Sequence, residues 1–158
     1  RKVGELLADR GIIGRFAIDF MMTPTEVGWQ DHAIELHLRK GGTTHPFLTL
    51  QFLTDGQYDE ASGHFLAPSG RQKYYVTSDH LEVDGLERLT PQDLLDIALM
   101  EDLHFNQATQ TGSVFHMLSA LPTHGFVGVT SVGDSASEAQ ARYDAVVDVL
   151  TRQARAVR

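Results

Sequence analysis

Residues 32–39 read HAIELHLR, and apolar and polar side chains alternate along them. Alternation with a period of two is typical of a β-strand, because successive side chains point to opposite faces of a sheet. The pattern predicts a strand with an apolar face formed by Ile34, Leu36 and Leu38. Its other face carries Ala33, Glu35, His37 and Arg39. Side chains on one face are about 7 Å apart, so Glu35 and His37 can share one metal ion. The alternative is an ordinary solvated face of an antiparallel strand.

The preceding segment, IIGRFAIDFMM at residues 12–22, predicts a second, mostly buried strand. It follows a helix over residues 1–10 that Gly11 closes. Asp19 lies between apolar residues here, and a carboxylate buried without a partner is costly. If the two strands are neighbours, Asp19 can face the same side as Glu35 and His37 around one cationic site. The alternative is an Asp at a strand edge that bonds to water or an arginine.

A glycine-rich loop, KGGTTHP at residues 40–46, follows the second strand. Pro46 then predicts the start of a helix that ends at Gly56. The loop suits either of two roles, a binding loop or a tight turn in which Thr44 or His45 caps the helix. Short strands are predicted at residues 63–67 and 72–77. Lys73, Tyr74 and Tyr75 suit either an edge strand or a substrate pocket.

The rest of the chain predicts three helices and one strand. Thr90 is an N-cap with Pro91 at the first helical position, and Ser135 caps the last helix. Residues 112–121 suit a helix, in which His116 is a core histidine rather than a ligand. Residues 125–132 suit a strand. The predicted class is therefore α+β.

Composition excludes several classes of protein. The 158 residues contain 13 Lys and Arg against 21 Asp and Glu, a net charge of −8, and no cysteine. An acidic chain is a poor binder of nucleic acid, and disulfides or thiolate metal sites are impossible. Uncharged stretches are too short to span a bilayer, so we expect a cytoplasmic protein. Because the chain opens Arg-Lys-Val-Gly without Met, we expect it to be part of a longer protein.

Four stretches of the sequence carry a family resemblance. The string GIIGRFAIDF at residues 11–20, followed by IELHLR at 34–39, resembles the closing part of the ATP-grasp catalytic domain. The strings ELHLRKGGTTHP at 35–46 and GSVFHMLSALPTHGFVGVTSVG at 112–133 resemble the pheganomycin-type peptide ligases, which are carboxylate–amine ligases. The resemblance covers nearly the whole chain. It implies an ATP-grasp C-terminal lobe over residues 1–56, with an antiparallel sheet and flanking helices, and a small α/β domain over 57–158.

The resemblance also implies roles for individual residues. Asp19, Glu35 and His37 would bind the metal. Arg39 would contact the transferred phosphoryl group. The residues that bind ATP would be Arg15, Arg39, Thr43 and Thr44. The catalytic residues would be Arg39 and His45. His37 departs from the family, which usually has Asn there. It would bind a softer ion such as Mn²⁺ in place of Mg²⁺, or contact phosphate, or mark a weakened site.

The implied function is an ATP-dependent ligase that joins a small carboxylic or amino-acid-like substrate to an amine or peptide acceptor through an acyl phosphate. The cofactors would be ATP and Mg²⁺ or Mn²⁺. We expect this chain alone to be inactive, since the earlier ATP-binding lobe is missing from it. The alternative is a non-catalytic ATP-grasp-derived domain that binds peptides or acts as a scaffold. A homodimer is compatible with either function.

Overall fold

A computed structural model of the chain describes residues 2–156. The chain divides into two compact units, Arg1–His45 and Pro46–Arg158. Helices and small antiparallel sheets make up both, so the predicted α+β class is confirmed. The domain boundary after residue 56 stays a prediction. Among the helices of residues 2–156, none has the length and apolar character needed to cross a membrane.

The first unit contains a helix and a β-hairpin: α1 (Lys2–Asp9), β1 (Ala17–Thr25) and β2 (Gly28–His37). The helix ends at Asp9, and Gly11 closes it two residues further on, as predicted. The N–H of Gly11 donates to the carbonyl of Ala8, and the N–H of Ile12 to that of Leu7. This is a Schellman motif, which requires the positive φ of +76° that glycine adopts at low cost.

Strand β1 differs from its prediction in position and burial. It begins at Ala17 rather than residue 12 and continues through Pro24 to Thr25, which leaves only residues 26 and 27 for the turn. A two-stranded sheet has no central strand, so Pro24 is tolerated. Phe20, Met21 and Met22 are 52–55% exposed, not buried. Two strands alone shield little surface, so apolar content did not imply burial.

A β-bulge interrupts the hairpin. Asp19 pairs with Glu35, but the next residue, Phe20, pairs with Ala33, so Ile34 is an extra residue on β2. Consecutive residues of β1 face opposite sides and cross-strand partners share a side. Ala33 therefore lies on the face opposite Glu35, and the strict alternation predicted across residues 33–39 is wrong at this point.

The remaining elements begin with α2, which crosses the boundary between the units. They are α2 (Thr44–Thr54), β3 (Gln57–Asp59), β4 (His64–Leu66), β5 (Tyr74–Glu82), α3 (Pro91–Met100), β6 (Gly112–His116), α4 (Leu121–His124), β7 (Phe126–Gly133) and α5 (Ala136–Ala156). The helix α2 starts at Thr44, two residues before the predicted start. The N–H of Gly41 donates to the Thr44 hydroxyl at 3.1 Å, which closes the turn before the helix.

The core of the second unit surrounds β7. This strand lies between β5 and β6 in an antiparallel sheet, and all its residues except Phe126 are buried. β7 confirms the predicted strand, and β5 is an edge strand, one of the two alternatives for residues 73–75. Since its sheet is antiparallel, this unit is α+β and not the predicted α/β. Its main cluster of buried residues comprises Leu81, Leu86, Leu89, Leu94, Ala98, Leu103, Leu121, Val127, Val129, Val146, Val149 and Leu150.

Both predicted helix caps are confirmed. Thr90 and Asp93 form a capping box at the start of α3, and two hydrogen bonds from Thr90 lower the pKa of the Asp93 carboxyl. The Ser135 hydroxyl accepts the N–H of Glu138 at 3.1 Å. The N–H of Asp134 donates to the Glu138 carboxylate at 2.8 Å and is the main cause of that group's lowered pKa.

The helix predicted over residues 112–121 is wrong. Residues Gly112–His116 form β6 and pair with β7 from Gly112↔Val132 to His116↔Gly128. Gly112 has a φ of +122°, which a helix cannot contain, and Val114 and Phe115 favour a strand. A Cβ on Gly128 would lie 2.2 Å from Nε2 of His116, so the ring packs directly on the central strand.

A buried lysine joins three segments of the second unit. The Lys73 side chain is 0% exposed, and its Nζ lies 2.5 Å from Oδ1 of Asp134. The same Nζ donates to the carbonyls of Thr109 and Gln110 at 3.2 and 2.9 Å. Arg71 also contacts Asp134, at 3.4 Å, but its side chain is 48% exposed. Lys73 therefore ties β5 to the loop before β6 and to the start of α5.

Replacing Lys73 tests this contact. We expect Lys73→Met to lower the free energy of unfolding by about 2 to 3 kcal/mol, because Asp134 and two carbonyls lose a shared donor. Arg71→Met is the matched control and should cost less than about 1 kcal/mol, since exposed ion pairs contribute little. Urea unfolding measures both. An equal decrease in the free energy of unfolding of the two variants would show that the buried Lys73 contact stabilises the protein no more than the exposed Arg71 contact does.

Candidate metal centre

Three of the sequence-predicted site residues meet on one face of the hairpin. Nε2 of His37 lies 3.0 Å from Oδ2 of Asp19, and Nδ1 of the same ring lies 3.5 Å from Oε1 of Glu35. One ligand atom from each residue lies within 4.8 Å of the other two. The three side chains are thus close enough to act together.

The register of the hairpin explains why they meet. Asp19 and Glu35 are cross-strand partners. His37 pairs with Ala17, which is the next cross-strand pair on the same face of the hairpin. Because alanine offers only a methyl group opposite His37, the ring can lean diagonally across the strand towards Asp19. The bulge at Ile34 adds local twist immediately beside Glu35. Strand pairing alone therefore brings together residues 18 positions apart in the sequence.

The donor set suits a divalent cation. Two ligands on one ion, each bound at about 2.0 to 2.6 Å, are at most about 4 to 5 Å apart, as these atoms are. Carboxylate oxygens suit hard ions such as Mg²⁺, while the imidazole nitrogen adds affinity for Mn²⁺ and softer ions. The side chains of Asp19 and Glu35 are 62% and 63% exposed, which leaves room for water or phosphate oxygens around an ion.

The bulge adds a residue that the sequence pattern missed. Simple alternation puts His32 on the face opposite Glu35. In the structure His32 pairs with Met21, two residues beyond Asp19 on β1, and so lies on the face of the cluster. Its Nε2 is 3.0 Å from the Thr23 hydroxyl. No residue in the sequence marks the bulge, so alternation could not have placed His32.

The structure does not bring Arg39 to the cluster. β2 ends at His37, and the Arg39 guanidinium donates to the carbonyl of Lys40 at 3.2 Å. Arg15 lies just before β1, while Thr43 and His45 are exposed residues on either side of the start of α2. Thr44 is buried and its hydroxyl closes the turn with Gly41. This is the tight turn that was one of the two alternatives for the loop, but the hydrogen bond comes from a residue before the helix and is therefore not a helix cap.

Comparison with known proteins gives two matches. Residues 93–146 match the family model of the PGM1 C-terminal domain, so this part of the chain carries that domain's sequence pattern. Over 151 residues the chain is 31% identical to L-propargylglycine–L-glutamate ligase of Streptantibioticus cattleyicolor. The alignment covers 96% of this chain and 30% of the ligase. No solved structure matches.

The two matches confirm the predicted family resemblance. The chain resembles a pheganomycin-type ATP-grasp peptide ligase along almost its whole length. The domain match runs from the first turn of α3 to the middle of α5, whereas the match to the ligase also includes most of the rest of the chain. The chain spans about a third of the length of that relative, so the relative contains much that this sequence lacks.

Proposed function

We propose that this chain supplies the metal-binding strands of an ATP-dependent carboxylate–amine ligase and that a longer protein completes the active site. The observation that carries the proposal is the convergence of Asp19, Glu35 and His37 on one face of a β-hairpin. A relative named as a ligase supports the reaction class.

A bound divalent cation would neutralise negative charge on the ATP phosphates during phosphoryl transfer. Asp19 and Glu35 would supply hard oxygen ligands, and His37 would add a nitrogen ligand between them. In the reaction, the substrate carboxylate attacks the γ-phosphorus and ADP leaves. The amine then attacks the acyl carbon, loses a proton and expels inorganic phosphate. An acidic chain needs a cation at this site, because its own carboxylates repel the triphosphate.

The residues around the hairpin would assist in this reaction. Arg39 lies two residues beyond His37, so its guanidinium can turn from the Lys40 carbonyl towards an added phosphoryl group. Arg15 precedes β1 and would be a second phosphate contact. The exposed Thr43 would offer its hydroxyl to a substrate, with Thr44 holding the turn. His45 would position the amine or accept its proton.

The exposed apolar face of the hairpin, opposite the cluster, supports the proposal that this chain is part of a longer protein. Its apolar residues include Phe20, Trp29 and Leu36, which are 55%, 69% and 43% exposed. A soluble domain rarely leaves such a row uncovered, and an isolated two-stranded hairpin is marginally stable in water. Further strands or helices of an ATP-grasp lobe would cover this face and hold the polar face rigid.

Metal binding can be tested on this chain. We expect Glu35→Gln to weaken Mn²⁺ binding at least tenfold, because one of two carboxylate ligands is lost. The matched control is Glu82→Gln, since Glu82 lies 3.3 Å from His80 but belongs to no three-residue cluster of possible metal ligands within the described part of the chain. That change should leave the affinity within twofold. Calorimetric titration measures both.

The metal assignment fails if the two glutamine variants bind Mn²⁺ equally well. It also fails if the unaltered chain binds Mn²⁺ no better than the Glu35→Gln variant. Glu35 is 63% exposed and the change conserves its shape, so the variant should keep the fold. Matching circular dichroism spectra would establish this directly.

A test of ligase activity requires the full-length protein. We expect amine-dependent release of ADP in the presence of a carboxylic acid, and about 100-fold slower turnover in Arg39→Ala with an unchanged melting temperature. Arg10→Ala removes another exposed arginine of the same unit and should leave turnover unchanged. An Arg39→Ala protein that melts early yet turns over normally would contradict the role of Arg39. Nucleotide or peptide binding without ADP release would favour the non-catalytic alternative.

A further inference from the structure

The second unit contains a pocket of about 340 Å³ between α2, the β3–β4 hairpin and the start of β5. Ligand pockets in proteins begin at roughly this size, about 300 Å³. Most of its wall is aromatic or aliphatic. Six of its lining residues are Phe47, Tyr58, Phe65, Gln72, Tyr74 and Tyr75. All of them belong to the second unit, so residues of that unit alone form the pocket.

The apolar end of the pocket is held in place by packing. The rings of Phe47 and Phe65 meet edge to face, with centroids 5.6 Å apart and an interplanar angle of 87°. Phe65 also packs with the buried Leu50 and Val132. A Cβ on Gly56 would lie 2.3 Å from the Phe65 ring, so only glycine allows the chain to pass here. These contacts fix the aromatic wall in the absence of a ligand.

The polar end of the pocket offers hydrogen-bond donors. The Tyr74 hydroxyl donates to the side-chain oxygen of Gln72 at 2.5 Å. This bond fixes the orientation of the carboxamide and leaves its two N–H groups available. Within residues 2–156 no acceptor is bound to those N–H groups or to the Tyr58 hydroxyl. A ligand oxygen would satisfy them.

The basic residues of the lining are Lys73 and His64. None of the described residues that line the pocket is Asp or Glu. Lys73 lines it, but its ammonium group is held by Asp134 and two carbonyls. Aromatic walls with neutral donors at one end match a large apolar side chain attached to an amide carbonyl.

We propose that this pocket binds a large apolar amino-acid side chain, such as that of phenylalanine, within an amide or peptide unit. The side chain occupies the Phe47 and Phe65 end, and the adjoining carbonyl oxygen accepts from Gln72. Binding does not depend on the ligase proposal, because the second unit alone forms the pocket. Loss of ATP chemistry or of metal binding at the hairpin would leave this inference intact.

Titration of the chain with N-acetyl-L-phenylalaninamide, followed by ¹H–¹⁵N NMR, tests the proposal. We expect saturable shifts centred on the amides of Gly63, Gln72 and Tyr74. N-acetylglycinamide, which has the same amides but no side chain, should bind at least tenfold more weakly. Tyr58→Ala removes one half-exposed wall and should weaken binding about tenfold.

Two further variants separate pocket loss from misfolding. Gln72→Glu keeps the acceptor for Tyr74 but removes the N–H donors, and it should weaken binding at least fivefold. Phe52→Ala removes an 87% exposed ring of α2 outside the pocket lining and should change nothing. The proposal is overturned by unsaturable shifts, by shifts centred elsewhere, or by equal binding of the two amides. Unchanged affinity in a folded Gln72→Glu protein would also overturn it.

Discussion

The pairing of Asp19 with Glu35 across the β1–β2 hairpin is the constraint on which the candidate metal centre depends. This register puts two carboxylates on one face, and Ala17 opposite His37 lets the ring reach across to Asp19. A shift of one residue would move either strand's polar side chains to the opposite face. Ile34 is an extra residue on β2 and reverses the alternation of the residues before it. As a result Trp29 lies on the same face as Phe20 and Leu36, opposite the cluster.

The second unit depends on a different kind of constraint. β7 is buried between two neighbouring strands, and helix α5 follows it after a two-residue connection that includes the cap Ser135. Lys73 fixes the start of β5 to that same connection through Asp134. The pocket lies beside this arrangement, so the fixed position of residues 72–75 also fixes its donors. The start of the edge strand β5 therefore contributes both to the stability of the second unit and to the proposed ligand pocket.

Local signals predicted much of the fold. Gly11, Thr90 and Ser135 mark helix ends through their own backbone or side-chain hydrogen bonds, so the sequence alone located them. Alternation also predicted that Glu35 and His37 share a face, and the isolated Asp19 predicted a partner. Nonlocal pairing could not be read in this way. Residues 112–116 form a strand because they pair with β7, which lies further along the chain. The bulge in the hairpin and the contact between Lys73 and Asp134 likewise depend on segments that share no sequence motif.

The proposed cation site of this chain is the polar face of the hairpin. Paramagnetic broadening of amide signals by substoichiometric Mn²⁺ would locate the bound ion, because the effect falls steeply with distance from it. We expect signals near residues 19, 35 and 37 to disappear first, with those near His32 next. Broadening that began instead at another acidic surface, such as Asp144 and Asp148 of α5, would show that the hairpin is not the cation site.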